Sequence, residues 1–204
     1  MPPPPAPAIR DAAGLAAFLG AAPALRDSLA AVAALALPDA WIGAGFVRNA
    51  LWDAVHGLPF GTNPPGDVDV VWFDPARASA EEDAALEARL RAIRPGVPWS
   101  VRNQARMAER NGDPPYAGTL DAVARWPDTA TAVAARLDAS TGAVEVAAPW
   151  GANDLLAGIV RPTPACATNS AKREAFDRRI AEKDWLRRWP GLRVIDGPPP
   201  GRAA

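Results

Sequence analysis

The sequence predicts an α+β domain in which helices flank a mixed sheet. Two observations carry this prediction: segments with the apolar spacing of helices alternate with short strand-like segments, and glycine or proline turns separate them. The chain has 204 residues, 49% of them apolar and 22% charged, which suits one domain with a substantial core. In such a chain the helices cover a sheet that the strands share.

In the first half of the chain, helices and strands are predicted in alternation. Leu25, Leu29 and Val32 recur at helical spacing, whereas a run rich in valine and aromatic residues follows Asp67. Ser79 can cap a later helix, with Glu82 completing a capping box. The predicted helices are 9–19, 23–37, 46–56 and 80–93, and the predicted strands are 41–43, 67–73 and 99–103.

The second half is predicted to add a hairpin and a closing helix. Strands 131–137 and 143–148 are predicted to be joined by a turn that ends in Gly142, and a short helix is predicted at 120–125. An amphipathic helix is predicted at 171–189. We therefore predict a single domain over 9–193, with a flexible proline-rich start at 1–8 and a flexible tail at 194–204.

Composition excludes several classes of site. Cys166 is the one cysteine and His56 the one histidine, so neither a disulfide framework nor a His/Cys zinc site can form within one chain. The formal net charge is −1, so charge does not indicate RNA, although RNA stays possible as a partner. The apolar stretch 12–25 is too short and too rich in alanine and glycine to predict a membrane span, and a cytoplasmic location is expected.

One segment departs from this charge balance. Residues 172–193 hold eight Lys/Arg and four Asp/Glu. We interpret the excess as a solvated helix face, with a patch that steers nucleotide phosphates as the alternative.

Asp67 and Asp69 are the candidate catalytic and metal-binding residues. Side chains at positions i and i+2 of a strand face the same side, with Cα atoms about 6.5–7 Å apart. Such a pair of carboxylates can hold Mg²⁺, which prefers oxygen ligands and leaves positions open for phosphate and water. The alternative is that both aspartates only shape the turn before the strand.

Gly43, Gly45 and Arg48 form a second candidate, at the turn from strand 41–43 into the following helix. Glycine lets the backbone approach a phosphate, and the free N–H groups of the first helical turn point toward it. Arg48 can add a bidentate phosphate contact, or it can simply be solvated. A glycine turn and a carboxylate pair on successive strands suit phosphoryl or nucleotidyl transfer, in which positioning and charge neutralisation supply most of the catalysis.

The two motifs resemble the head of poly(A) polymerases and CCA-adding enzymes, members of the polymerase-β superfamily, which carry Gly-Gly-x-Val-Arg-Asp and then Asp-x-Asp. The stretch 41–161 looks still more like a bacterial family of small nucleotidyltransferase-like proteins. The blocks that carry this likeness are Trp99-Ser-Val-Arg-Asn-Gln-Ala-Arg-Met107, Trp126-Pro-Asp-Thr-Ala-Thr-Ala-Val133 and Ala148-Pro-Trp-Gly-Ala-Asn-Asp-Leu155.

The resemblance implies a polymerase-β-type nucleotidyltransferase fold, with Asp67 and Asp69 as metal ligands and Gly43 and Gly45 at the phosphates. The sequence departs from the pattern in three ways: Ala44 splits the glycine pair, Asn49 replaces an aspartate, and strand 99–103 lacks the third carboxylate. Asp138 or Glu145 of the hairpin could substitute for that carboxylate.

Asn103 and Arg106 complete the predicted nucleotide-binding set, because they follow the strand next to the carboxylates. They can contact a base, ribose or phosphate, or they can tie down a loop and pair with an acid. Trp126 can stack on a base or pack in the core.

The leading hypothesis is Mg²⁺-dependent transfer of a nucleoside monophosphate from an NTP to an unknown acceptor. A catalytically inactive nucleotide-binding or protein-interaction module is an alternative. A sugar-nucleotide glycosyltransferase that uses the Asp-x-Asp pair is a second one.

Overall fold

The computed structural model describes residues 9–197. Its α-helices are α1 (Ala12–Ala21), α2 (Pro23–Ala33), α3 (Gly45–Val55), α4 (Ala80–Ile93), α5 (Met107–Arg110), α6 (Thr119–Val123), α7 (Asn153–Leu156), α8 (Pro164–Ala167), α9 (Ser170–Lys183) and α10 (Trp185–Arg188). Its strands are β1 (Trp41–Gly43), β2 (Val68–Trp72), β3 (Trp99–Asn103), β4 (Ala134–Leu137), β5 (Val144–Ala147), β6 (Ile159–Val160) and β7 (Arg193–Val194).

The main sheet has five strands in the order β3-β2-β1-β4-β5. The β2–β3 pair is parallel and the other three pairs are antiparallel. Strands β6 and β7 form a separate parallel pair. The α+β class and the mixed sheet flanked by helices are therefore confirmed.

The two faces of the sheet have different surroundings. Ile42, Val70 and Trp72 are fully buried on the face that α1–α4 cover, where the main core lies. Trp41 and Val71 face the opposite side and belong to a smaller cluster. Because side chains alternate along a strand, Asp69 shares this second face with Val71. The alternating side chains of β2 thus place Val70 and Trp72 in the main core and Asp69 on the opposite face of the sheet.

The pairing of β1 with β2 brings the two predicted motifs together. Ile42 is opposite Val70 in this antiparallel ladder, so the next position sets Gly43 across from Asp69, about 5 Å away at Cα. The glycine turn follows the end of β1, and the aspartates lie at the start of β2. In an antiparallel pair the end of one strand lies beside the start of the other, so the glycine turn and the aspartates lie at the same edge of the sheet.

Several predicted boundaries are wrong: helix 23–37 ends at Ala33, for example, and two further differences have a visible cause. Strand 131–137 begins only at Ala134, because residues 129–132 form a turn in which Asp128 accepts from the Thr131 N–H. Helix 171–189 breaks at Asp184, whose left-handed backbone (φ 53°) separates α9 from α10. The predicted tail 194–204 begins within β7, which includes Val194, and the Ile195 N–H donates to the Val160 carbonyl.

The short elements α5, α7, α8, β6 and β7 were not predicted, since segments of two to four residues carry no readable periodicity. The predicted flexible start 1–8 and the tail residues 198–204 lie outside the described residues. In the described part of the chain no single helix is long and apolar enough to cross a bilayer, and the α1–α2 pair reaches that length only with a 95° bend.

Candidate active site

The turn between β1 and α3, residues 43–45, approaches its neighbours closely. A Cβ atom at Gly43 would lie 2.5 Å from the Trp126 ring and 3.2 Å from the Val133 carbonyl. At Gly45 it would lie 2.9 Å from Pro65. Both glycines are therefore required by space, and the chain can adopt this turn only if positions 43 and 45 carry no side chain. We call residues 43–45 the glycine bend.

The glycine bend opens a helix whose first N–H groups are free to bind an anion. No side chain caps the start of α3 in the described structure. The first turn of an α-helix leaves its N–H groups without intrahelical partners, and the helix dipole favours negative charge there. This geometry fits phosphate binding by the backbone.

Ala44 holds a backbone conformation that favours glycine, with φ 52° and ψ −123°. A side chain in this region costs about 1–3 kcal/mol. We expect Ala44→Gly to raise the free energy of unfolding by about 1 kcal/mol, since the relieved strain exceeds the entropy that glycine adds to the unfolded chain. Urea denaturation measures the change. The matched substitution Ala34→Gly, at φ −65°, should lower stability instead. A similar loss of stability in both variants would show that the Ala44 backbone is not strained.

Asp67 and Asp69 face the same side of the sheet at the start of β2. Asp67 is exposed and Asp69 is partly buried. Among residues 9–197 neither carboxylate has a hydrogen bond or an ion pair, and burial together with the Asp67 charge raises the pKa of Asp69 to about 6. Two adjacent carboxylates without protein partners make a donor set that fits a hard divalent cation.

A cavity of about 380 Å³ lies above these elements. Ala44 of the glycine bend and Asp69 both line it, so the structure brings the two predicted motifs to one site. Its other walls carry Arg102 and Gln104 after β3, Arg125 and Trp126 after α6, and Lys172 and Arg179 of α9. The four basic side chains make the cavity a place for an anionic ligand.

Arg48 does not reach this cavity. Its side chain is buried, and its guanidinium donates to Thr131 Oγ1 at 2.5 Å and to Asn49 Oδ1 at 3.0 Å. Its Cζ lies 4.3 Å from the centroid of the Trp185 ring. Burial lowers the pKa of Arg48 to about 10, and Asp128 opposes this shift. The structure therefore gives Arg48 a supporting place behind the glycine bend and does not support the expected direct phosphate contact.

The basic segment 172–193 is not simply a solvated face, which corrects the interpretation preferred from sequence. Lys172 and Arg179 project from one side of α9 into the cavity, with side chains only 17% and 27% exposed. They are seven residues apart, or two helical turns, so they share a face. The alternative interpretation, a patch directed at phosphates, agrees with this placement.

Asn103 and Arg106 lie on the other face of the sheet. Asn103 is fully buried and bonds the backbone of Asp74, Arg77 and Ala105. Arg106 makes a two-nitrogen contact with Asp83 of α4. Their polar groups hold a loop and pair with an acid, so we do not retain them as nucleotide contacts.

Arg102 is the cavity residue that sequence reasoning missed on β3. The parallel register pairs Asp69 with Ser100 and Val71 with Arg102, so Arg102 lies on the same face of the sheet as Asp69 and lines the cavity. Its guanidinium also forms an ion pair with Glu87 of α4 at 3.5 Å. The alternation of strand 99–103, which was predicted with its observed bounds, could have identified it.

Neither hairpin acid supplies a third carboxylate. Glu145 lies on β5, three strands from β2 and thus about 14 Å away, and it pairs with Arg136. Asp138 follows β4 and bonds Ser140. No group of three or more metal-binding side chains occurs in residues 9–197.

Four buried side-chain atoms of the described residues lack a hydrogen-bond partner within the protein: the Nε atoms of Arg48, Arg125 and Arg179 and one oxygen of Asp128. Arg125 and Arg179 line this cavity, whereas Arg48 and Asp128 do not. Unused donors at a basic cavity are a sign of a missing ligand, because burying them unpaired costs free energy.

A glycine bend before an uncapped helix, facing a carboxylate pair across an antiparallel ladder, defines a nucleotidyltransferase of the polymerase-β type. Residues 30–194 match the model of a family described as nucleotidyltransferase. The chain belongs to this nucleotidyltransferase family and is an enzyme of that class. No curated protein sequence matches it.

Solved structures agree with this assignment. An NMR structure described as a CCA-adding enzyme head domain is 31% identical, with a TM-score of 0.79; the match covers 90% of this chain and 95% of that one. The Thermotoga maritima CCA-adding enzyme in complex with tRNA shares the fold at 15% identity and a TM-score of 0.56. A CCA-adding enzyme with ATP matches at 15% identity and a TM-score of 0.51. Each of these two matches covers 91% of this chain but only 42% of the CCA-adding enzyme.

Proposed function

We propose that the chain transfers a nucleoside monophosphate from an NTP to an acceptor and that the reaction depends on Mg²⁺. The observation that carries this proposal is the meeting of the glycine bend and Asp69 at one basic cavity. A triphosphate at the bend and a cation on the carboxylates would be in contact there, as nucleotidyl transfer requires. Among solved relatives, CCA-adding enzymes with bound ATP and with bound CTP share the fold.

Asp67 and Asp69 would hold the magnesium ion. When bound, the ion would neutralise charge on the triphosphate and favour the deprotonated acceptor oxygen. The Ala44 N–H already donates to the Val133 carbonyl, so the N–H of Gly45 and those that follow it in the first turn of α3 would donate to phosphate oxygens. Arg102 and Arg179 line the same cavity and would place positive charge beside the phosphates as negative charge shifts during transfer.

Arg48 would act from behind the bend. Its bond to Thr131 joins the start of α3 to the turn before β4, and its stacking on Trp185 joins α3 to α10. These contacts fix the N–H groups that we assign to the phosphates. Arg48 is therefore proposed as a positioning residue.

The inactive-module alternative keeps one observation in its favour, the lack of a third carboxylate in residues 9–197. The glycosyltransferase alternative has none, because the family and the fold are those of nucleotidyltransferases. The predicted cytoplasmic location suits an enzyme that uses NTPs and stays a prediction.

A pyrophosphate-release screen tests the proposal. The full-length protein is incubated with Mg²⁺ and each of the four NTPs, alone and with small-molecule, protein and RNA acceptors. We expect pyrophosphate release with at least one pair of NTP and acceptor, and its loss in EDTA. Magnesium-dependent NTP binding without any release would instead favour the inactive module.

A further inference from the structure

The far end of the cavity carries a network of polar side chains that the proposed transfer does not use. Asp113 lies at its centre, with a side chain only 6% exposed. The Tyr116 hydroxyl donates to Asp113 Oδ2 at 2.7 Å, and Asn111 Nδ2 donates to the Tyr116 oxygen at 3.1 Å. Lys172 and Arg125 approach the other oxygen of Asp113. We call these five residues the distal cluster, and all of them line the cavity.

The distal cluster has more positive than negative charge. Asp113 Oδ1 forms an ion pair with Lys172, while Arg125 Nη1 stays 3.9 Å from the same oxygen. One carboxylate thus faces two cations, and the closer cation, Lys172, already pairs with it. Among the described residues, Arg125 keeps only two long ion pairs, at 3.9 Å to Asp113 and at 3.8 Å to Asp121.

Arg125 also has unused hydrogen-bond donors. Its contacts to Asp113 and Asp121 are 3.9 and 3.8 Å long, beyond hydrogen-bond distance, and its Nε is buried without a partner in residues 9–197. A guanidinium offers five N–H donors in a fixed plane, and carboxylates and phosphates match that geometry. The side chain is 32% exposed, so an anion in the cavity can reach it.

The distal cluster is separate from the carboxylate pair. Arg179 lies near the carboxylate end, where its charge acts on Asp69. Lys172 is seven residues earlier on the same helix, about 10 Å away along the axis. The triphosphate must lie at the carboxylate end, because the metal has to touch both the carboxylates and the triphosphate. A second anion site therefore belongs to the other substrate.

We propose that the distal cluster binds an anionic group, a phosphate or a carboxylate, of a small-molecule acceptor. This inference rests on the proposed nucleotidyl transfer and names the class of its second substrate. A small acceptor fits a cavity of about 380 Å³ and a chain with a net charge of −1. A nucleic acid would need an extended basic surface, which the overall charge does not provide.

Calorimetric titration with inorganic phosphate tests this site. The full-length protein is first saturated with Mg²⁺ and a nonhydrolysable ATP analogue, which fills the carboxylate end. We expect phosphate still to bind, and Arg125→Gln to weaken it roughly ten- to hundred-fold through loss of a charge-assisted hydrogen bond. Arg125→Lys, which keeps the charge, should restore part of the affinity. A parallel titration with acetate shows whether the site prefers phosphate or carboxylate.

Arg110→Gln is the matched control, because Arg110 is exposed on nearby α5 and makes no hydrogen bond or ion pair with any described residue. It should leave phosphate binding unchanged. Competition between the ATP analogue and phosphate, or equal affinity in wild type and Arg125→Gln, would overturn the proposal. Efficient transfer to RNA that Arg125→Gln does not affect would also overturn it.

The same titrations separate this inference from the proposed function. If the analogue does not bind, the transfer proposal fails, and phosphate titration without analogue still compares wild type with Arg125→Gln. If transfer to a small anionic acceptor is found, Arg125→Gln should raise the acceptor KM at least ten-fold and leave the NTP KM unchanged.

Discussion

Asp69→Asn is expected to lower pyrophosphate release by a factor on the order of 10³, equivalent to about 4 kcal/mol of transition-state stabilisation. The amide keeps the size of the side chain but loses the charge that a divalent cation requires. Asp69 lines the cavity beside the glycine bend, so its loss removes the metal from the phosphates. Initial rates with saturating NTP and Mg²⁺ measure the effect. Asp11→Asn is the control: Asp11 caps α1, and asparagine caps a helix equally well.

The same variant should be more stable than wild type when metal is absent. The pKa of Asp69 is raised from 3.8 to about 6, so the ionised carboxylate disfavours the folded state. That penalty is absent below pH 3.8, is complete above about pH 6, and amounts to roughly 2–3 kcal/mol. In EDTA at pH 7.5, Asp69→Asn should therefore unfold at higher urea concentration, and the difference should vanish near pH 4. A less stable variant would show that Asp69 serves the fold rather than a ligand.

Arg48→Met is expected to destabilise the protein by about 3–5 kcal/mol, the largest stability effect that we predict. The change removes the bonds to Thr131 and Asn49. It also removes a buried positive charge that acts through space on Asp128, which is fully buried and, within residues 9–197, keeps only the long ion pair to Arg179 at 4.0 Å. Methionine retains much of the volume beside Trp185, so the loss reports on polar contacts more than on packing.

A double-mutant cycle with Asp128→Asn isolates this charge effect. Asparagine removes the buried charge of Asp128. The loss of unfolding free energy in the double variant should therefore be smaller, by about 1–2 kcal/mol, than the sum of the losses in the two single variants. Free energies of unfolding from urea denaturation supply the four corners of the cycle. Additivity within about 0.5 kcal/mol would mean that Arg48 and Asp128 are energetically independent.

Local patterns allowed the sequence to predict much of the site. Strands 41–43 and 99–103 were predicted with their observed bounds, since short apolar runs between turns are read directly. The position of Gly43 opposite Asp69 follows from the register in which β1 pairs with β2. Ser79 caps α4 as predicted, whereas Glu82 pairs with Arg77 instead of closing the capping box.

What the sequence could not supply was the long-range part of the cavity. Lys172 and Arg179 are about a hundred residues from Asp69, and no local pattern shows that α9 folds back over β2. Asn103 and Arg106 follow the strand next to the carboxylates in sequence, which is why they were predicted to contact the nucleotide. Because side chains alternate along β3, Asn103 lies on the face opposite the carboxylates. Arg48 is a surface-type residue whose burial depends on Trp185, from the far end of the chain. Tertiary contacts of this kind decide whether a basic residue binds a ligand or supports the fold.

A crystal structure of the protein with Mg²⁺ and a nonhydrolysable NTP analogue would show whether the metal and the phosphates meet at this site. We expect an ion about 2.1 Å from oxygens of Asp67 and Asp69, with the phosphates at the glycine bend, on the N–H of Gly45 and of the first turn of α3. A nucleotide bound away from the bend, or a bend that holds phosphate while the aspartates coordinate no ion, would contradict this expectation.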